Sequence, residues 1–366
     1  MPRAAAGGGD ARLCRAGAAA GEGRVSEIGR EPLAETMQPG GFRRPRFGGI
    51  GWFIVKRILL GILTLFVISL IVFGATQALP GDTAQAILGR EATPERLEVV
   101  REQLNLNRPV HEQYTEWLTG VLTADLGVSL ANGQPVSSFL SDRIVNSAFL
   151  VLVAALVSIP LSLLVGSLSA MKRDRPLDTI TSVVTLALAA LPEFVIGVAL
   201  VVLFGTTVFQ VLPAVSLVGA GTPVWEQFTV VILPALTLVL AVTPYISRVM
   251  RGSMIEVLES DYVEMARLKG LRERVVIVRH ALPNALIPAI QVTALQLAYL
   301  AGGIVVVEFL FSFPGIGGAL VDAVRTRDLP IIQALTMLIA AVYVGLNLLA
   351  DVATILISPR LRTALS

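Results

Sequence analysis

The chain has little of what soluble enzymes and metalloproteins are built from. One cysteine, Cys14, stands among 366 residues, so no intrachain disulfide can form. With only His111 and His280, there is no His/Cys cluster for a metal. Lysine is confined to Lys56, Lys172 and Lys269, none preceded by glycine, which removes the Gly-Lys-Ser/Thr phosphate loop of nucleotide hydrolases. HExxH and GxSxG are also missing. Charge is scarce, at 15% of residues against 54% hydrophobic ones, and mean hydropathy is +0.74. A soluble globule of this length cannot cover itself with so few polar groups.

What is present is apolar sequence in long blocks. Residues 58–79, 144–171, 227–247, 281–307 and 329–350 carry no charge, and 179–209 carries only Glu193. Each reaches or approaches the roughly 20 residues that cross a bilayer core as a helix, the conformation that satisfies backbone groups in lipid. The expectation is an all-α integral membrane protein with six transmembrane helices. Basic residues collect before the first block (Arg43, Arg44, Arg46, Lys56, Arg57), at Lys172–Arg175, between blocks four and five, and at Arg360 and Arg362. The segment 80–143 holds nine acidic against five basic residues. By the positive-inside rule both termini are cytoplasmic and 80–143 is external. The net charge of +2 then reflects topology, with no implication of nucleic acid.

Residues 1–50, rich in Ala, Gly and Arg without hydrophobic periodicity, are expected to be a disordered cytoplasmic extension, and Met37 stands as an alternative start to Met1. The first block, within 52–80, resembles a signal peptide, yet five later spans favour an uncleaved anchor. In the external segment, 81–143, Thr93 and Pro94 open one helical pattern through Leu97, Val100 and Leu104. A second pattern, VHEQYTEWLTGVL, aligns Tyr114, Trp117 and Val121 on one face. That stripe is either a small cap over the spans or part of an outer docking surface.

The stretch SDYVEMARLKG gathers charge where the chain is otherwise oily. Asp261 as N-cap with Glu264 three residues on, Arg267 and Lys269 at the negative end of the dipole, and Gly270 as left-handed stop define a helix of about two turns. It is too polar to span and too short to stand alone, so it is a solvated connector or lies against a partner.

Glu264–Met265–Ala266, Gly270 and Leu282–Pro283 together resemble the EAA loop of ABC importer permeases, with Met265 in place of the usual alanine and His280 where isoleucine is frequent. The run DYVEMARLKGLRERVVIVRHALPNALIP is similar to the oligopeptide/dipeptide branch. LPGDTAQAILG, LNLNRPVHEQYTEWLTGVLTADLGVS and VVVEFLFSFPGIGGALVDAVRTRDLP are similar to its first, B-type, permease subunit. Thr83, Asn105 and Ala124 depart from the common residues of those loops.

This resemblance implies a type I (MetI-like) permease fold, with a permease domain over 144–362 and a cytoplasmic coupling loop over 251–280. In it Asp261, Tyr262, Glu264, Met265, Ala266, Arg267, Lys269 and Gly270 form the coupling helix. It implies a second homologous permease, two ABC ATPase subunits or domains that hold ATP and Mg, an extracytoplasmic binding protein and a bacterial inner-membrane location, with membrane lipid around the spans. No cofactor is expected on this chain, and no enzymatic activity of its own. Substrates of such relatives are dipeptides, oligopeptides, glutathione-like peptides or nickel chelates. Glu193 and Glu308 are candidates for the translocation pathway, and Tyr114, Trp117 and Val121 for receptor docking. For Glu193 a plain hydrogen bond to a neighbouring helix competes with the lumen role. A self-sufficient secondary transporter or a non-transporting scaffold would also explain the spans, but not the capped, charged helix.

Overall fold

The computed structural model describes residues 48–78, 93–95, 97–98, 108–218 and 222–357. The extension before residue 48, Val100 and Leu104, and two of the departing loop residues, Thr83 and Asn105, lie outside them. Of the first amphipathic pattern, the Leu97 amide donates to the Thr93 carbonyl at 2.9 Å.

Among the described residues the chain is helical, with one isolated antiparallel bridge, Val128–Pro135. In chain order the main helices are α1 (Gly48–Gln77), α2 (Val110–Thr123), α3 (Val136–Met171), α4 (Pro176–Ala190), α5 (Glu193–Leu200), α6 (Thr229–Leu258), α7 (Asp261–Leu268), α8 (Leu282–Phe311), α9 (Ile316–Thr326) and α10 (Leu329–Ile357). A turn at Glu273–Val275 and a π-helical turn at Val276–Ala281 lead without a break into α8. Five helical runs are long and apolar enough to cross a membrane: α1, α3, α6, Glu273–Phe311 and α10. The sixth expected span is not straight. α4 and α5, with the π-turn Val201–Thr206, meet at 108° across Leu191 and Pro192. Proline lacks an N–H and disfavours helical backbone in the residue before it. Leu191 accordingly takes an extended conformation, with φ −92° and ψ 133°.

α6 is the centre of the bundle. Its Leu233, Leu238, Val242 and Ile246 are buried against Leu150 and Ala154 of α3, Ile196 and Leu200 of α5, and Leu300, Ile304 and Phe311 of α8. The α3–α6 contact is close because Gly166 has no side chain. A Cβ there would lie 2.5 Å from the Ser247 carbonyl oxygen and 2.8 Å from Met250 Cβ. α1 is peripheral, exposing Leu59, Ile62, Leu63 and Ile71 while burying Ser69, Phe73 and Thr76. In a bilayer such an apolar face meets acyl chains.

Chain direction gives the bundle two ends. Residues 172–175 and 259–272 lie at one, with the Arg57–Asp351 ion pair (3.1 Å) close by. Residues 108–135, 207–228 and 312–328 lie at the other.

Candidate coupling site and the bend in the third span

α7 is the short charged helix that the sequence announces, with one correction at its start. Asp261 is the first helical residue, and Ser260, extended at φ −77° and ψ 147°, is the N-cap. No side chain caps the helix, so the Asp261–Glu264 box does not form. Ser260 instead turns its hydroxyl back to donate to the Val257 carbonyl (2.5 Å), and its own carbonyl accepts from Val263 and Glu264 amides. The C-terminus is as expected. Gly270 has φ +77°, its amide donates to the Arg267 carbonyl (2.9 Å), and Leu271 reaches back to Ala266 (3.4 Å). These two bonds are a Schellman stop, which needs a residue at ease in left-handed backbone.

The two faces of α7 differ in kind. Val263 and Ala266 point inward and are buried with Met250 and Met254 of α6, Val276 and Ala281 of the entry turn, and Ala285 and Ala289 of α8. Tyr262, Met265 and Leu268 point outward, at 46%, 53% and 74% exposure. Asp261, Glu264 and Lys269 are exposed around them. The motif position where this chain has Met265 is therefore an outer one, which the larger side chain changes without disturbing the packing. Ala266 is an inner one, where size is limiting.

Arg267 faces its own chain. Its guanidinium grips Glu273 through two bonds, 2.8 and 3.2 Å, and reaches the Leu258 carbonyl at 3.4 Å, stapling α7 between the end of α6 and the start of the next run. The Glu273 carboxylate raises the Arg267 pKa above its ordinary value, so the staple stays charged.

Beneath α7 lies a clamp that sequence reading passed over. Arg251 of α6 binds Asp178 of α4 through two bonds, 2.6 and 2.7 Å. Asp178 is buried and also accepts from the Ser169 hydroxyl (2.6 Å) and the Asp174 amide (3.1 Å). Arg173 binds Glu259, one residue before the N-cap of α7. The only local signal was Asp178 just inside a proline-started helix, PLDTITS.

The remaining candidates fall out as follows. Glu193 opens α5 at the bend and is partly buried; Tyr299 of α8 donates to its carboxylate at 3.1 Å. The hydrogen bond to a neighbouring helix is therefore present. Glu308, expected beside a pathway, is wholly buried. Its carboxylate accepts from the Ser147 hydroxyl (2.5 Å) and the Gly317 amide (2.6 Å), while Ser147 accepts from Ile316 (2.9 Å). A Cβ on Gly315 would collide with that carboxylate. Glu308 thus pins the SFPGIGG turn to α3. The Tyr114–Trp117 stripe finds its cover within the chain. Phe73 of α1 meets both rings, at 5.3 and 5.7 Å between centroids, and Ser69 shares a 2.8 Å hydrogen bond with the Tyr114 hydroxyl. Val121 lines an apolar cavity with Leu65, Phe66 and Met337. The stripe holds α2 against α1, with Tyr114, Trp117 and Val121 each half-buried. Asp328 completes this end: it accepts from the Ser129 hydroxyl and from the amides of Leu130 and Ala131, each at 3.2 Å.

Among the described residues, no nucleophile, base and oxyanion donors gather around a reacting atom. The family model "Binding-protein-dependent transport system inner membrane component" matches residues 162–363. A second, "Binding-prot-dependent transport system membrane comp, N-term", matches residues 51–151. The glutathione transport system permease protein GsiC of Escherichia coli (strain K12) is 34% identical over 310 residues, which is 85% of this chain and 98% of that one. GsiC of Shigella dysenteriae serotype 1 (strain Sd197) matches with the same identity and coverage. The chain belongs to the family of inner membrane components of binding-protein-dependent transport systems, as a permease subunit of an ABC importer.

Proposed function

We propose that this permease carries small peptides, glutathione-like peptides among them, across a bacterial inner membrane with both termini in the cytoplasm. It does so beside a second, homologous permease. α7 is the coupling helix. One observation carries this: a helix of eight residues, seated on the core by Val263 and Ala266, turns Tyr262, Met265 and Leu268 outward with nothing among the described residues to cover them. Apolar side chains ringed by Asp261, Glu264 and Lys269 suit a cleft on a soluble ATPase. Two such subunits, binding ATP and Mg, close on nucleotide, and their differential affinity for the two arrangements of the spans drives the exchange of access. A binding protein on the opposite side delivers the peptide. The peptide class rests on the similarity to glutathione transport system permeases together with the oligopeptide/dipeptide character of the loop motifs.

The test is the purified complex. Met265→Glu and Leu268→Glu place charge in the cleft and are expected to lower bound ATPase about tenfold or more, while insertion and pairing with the second permease persist. Labelling of single cysteines in a background lacking Cys14 should find position 132 external and position 272 internal. Full ATPase occupancy in both variants would remove α7 from the coupling role, and labelling of both positions from one side would remove the topology.

A further inference from the structure

Where α3, α4 and α6 meet towards the α7 end, they line a polar cavity of about 380 Å³ that the coupling helix does not touch. The sequence sets its level. The uncharged blocks of α3 and α6 end at residues 171 and 247, and that of α4 begins at 179. All the lining residues lie within about two turns of those limits. The cavity therefore sits where apolar span gives way to charged surface. Most of its hydroxyls are already engaged. Ser169 donates to Asp178 (2.6 Å), Thr181 to the Leu177 carbonyl (2.9 Å), Thr185 to the Ser182 carbonyl (3.2 Å) and Ser247 to the Pro244 carbonyl (3.2 Å). The Ser182 hydroxyl and the Arg248 guanidinium, by contrast, have no hydrogen-bond or ionic partner among the described residues. Arg251 lines the same wall, but Asp178 matches its charge. None of the lining residues is a carboxylate, so the cavity keeps the positive charge of Arg248.

We infer that this cavity holds the phosphate of an anionic phospholipid from the leaflet at the α7 end, with the Arg248 fork and the Ser182 hydroxyl as its donors. Chemistry selects an oxyanion. Both free groups donate, and a planar guanidinium meets two oxygens of a phosphate at once. Depth selects a lipid. Head groups lie where the apolar blocks end, and basic pockets between transmembrane helices at such a surface take them. Size agrees. A water occupies about 30 Å³, so the cavity has room for a head group with its glycerol and not only for an ion. The chains also have a path. Leu186 on the rim is 59% exposed and Val183, one turn before it on α4, is 60% exposed, so an apolar face leads from the mouth along the span.

The experiment uses the whole complex, both permeases with their ATPases, purified in detergent and stripped of native lipid. Its Tm is followed as short-chain phosphatidylglycerol or inorganic phosphate is added, because a ligand of the folded state raises Tm by mass action. Arg248→Gln is expected to weaken apparent affinity for phosphatidylglycerol about tenfold, the loss of one charge-assisted contact. Ser182→Leu, which fills the cavity and leaves the charge, should weaken it by a similar factor. Arg248→Lys should stay within about threefold, because it keeps the charge. So should Arg175→Gln, which removes an exposed charge outside the cavity. Arg248 is exposed and unpartnered, so its variants should match the wild-type Tm before lipid is added. Wild-type affinity in Arg248→Gln would overturn the inference. Equal losses in Arg175→Gln and Arg248→Gln would also overturn it, since the attraction would then be the diffuse charge of the surface. An Arg248-dependent response to inorganic phosphate alone would make this a site for the free ion and overturn the lipid. No response in the wild-type complex would mean that the second permease covers the mouth, and would overturn it as well.

Discussion

The two ends of the bundle are held by different chemistry. At the α7 end, arginines meet carboxylates: Arg251–Asp178, Arg173–Glu259 and Arg267–Glu273. At the far end, buried carboxylates meet hydroxyls and backbone amides instead. Glu308 is bound by Ser147 and Gly317, and Asp328 by Ser129, Leu130 and Ala131. A carboxylate that collects amides freezes the course of one loop. An ion pair between side chains joins two helices while leaving each backbone its own hydrogen bonds. The far end is therefore shaped, and the α7 end is linked. Linked elements can shift relative to one another, whereas shaped loops hold the turns of the far end in place.

This contrast can be broken from either side. The largest effect is expected at Asp178→Asn, which leaves the Arg251 guanidinium facing a neutral amide in a mostly dry site. Loss of one partner of a buried pair costs about 3–5 kcal/mol. Arg251 keeps 32% of its side-chain surface exposed, so the cost should fall near about 3 kcal/mol. Lower yield and a lower Tm in detergent, together with reduced ATPase binding, would register it, and an unchanged Tm would mean that the clamp bears no load.

Glu308→Gln should come next, at about 2 kcal/mol. The new amide group points a donor at one of the donors that Glu308 now accepts from, and a buried group left unsatisfied costs about 1–3 kcal/mol. Here the Tm should fall while ATPase occupancy holds, because the lesion lies at the far end. Loss of both would show that the ends are not separable in this way.

Gly270→Val should have the smallest effect on stability, about 1–2 kcal/mol, the strain of forcing left-handed backbone on a side-chain-bearing residue. Its cost appears elsewhere: α7 loses its stop, and ATPase pull-down with the purified permease should weaken although insertion is normal. Undiminished pull-down would mean that the Schellman turn is not needed to aim α7.

Much of the architecture was legible because hydrophobic blocks and local punctuation are local signals. The five straight runs, α2 and the left-handed Gly270 are all written within a few residues of where they act. What escaped needs partners remote in sequence. Asp178 and Arg251 are 73 residues apart, and Glu308 and Ser147 are 161 apart. Nothing in the spacing around Glu308 separates a pathway carboxylate from a loop anchor, since a charge in a span is uncommon in either role. The Tyr114 stripe was correctly placed on one helical face, but only the structure shows that Phe73 and Ser69 of α1 are already there. The bend was not read from the sequence, which gave 179–209 as one span; Pro192 permits a break there, and its 108° angle depends on packing that no dipeptide contains. Ser260 took the N-cap from Asp261 because helix starts are commonly uncertain by one residue.

The inner face of α7 has one more consequence. Ala266 rests on a row of alanines, Ala281, Ala285 and Ala289, with two methionines behind it. Long branched side chains at such a contact would mesh like gear teeth, and any displacement would require several of them to change rotamer together. Methyl groups offer a nearly smooth track, and methionine is the most pliable of the large apolar side chains. The joint is thus a bearing. A load applied to the outside of α7 is passed to the foot of α8, a rod about 45 Å long, and the two helices can slide by small amounts without first unlocking.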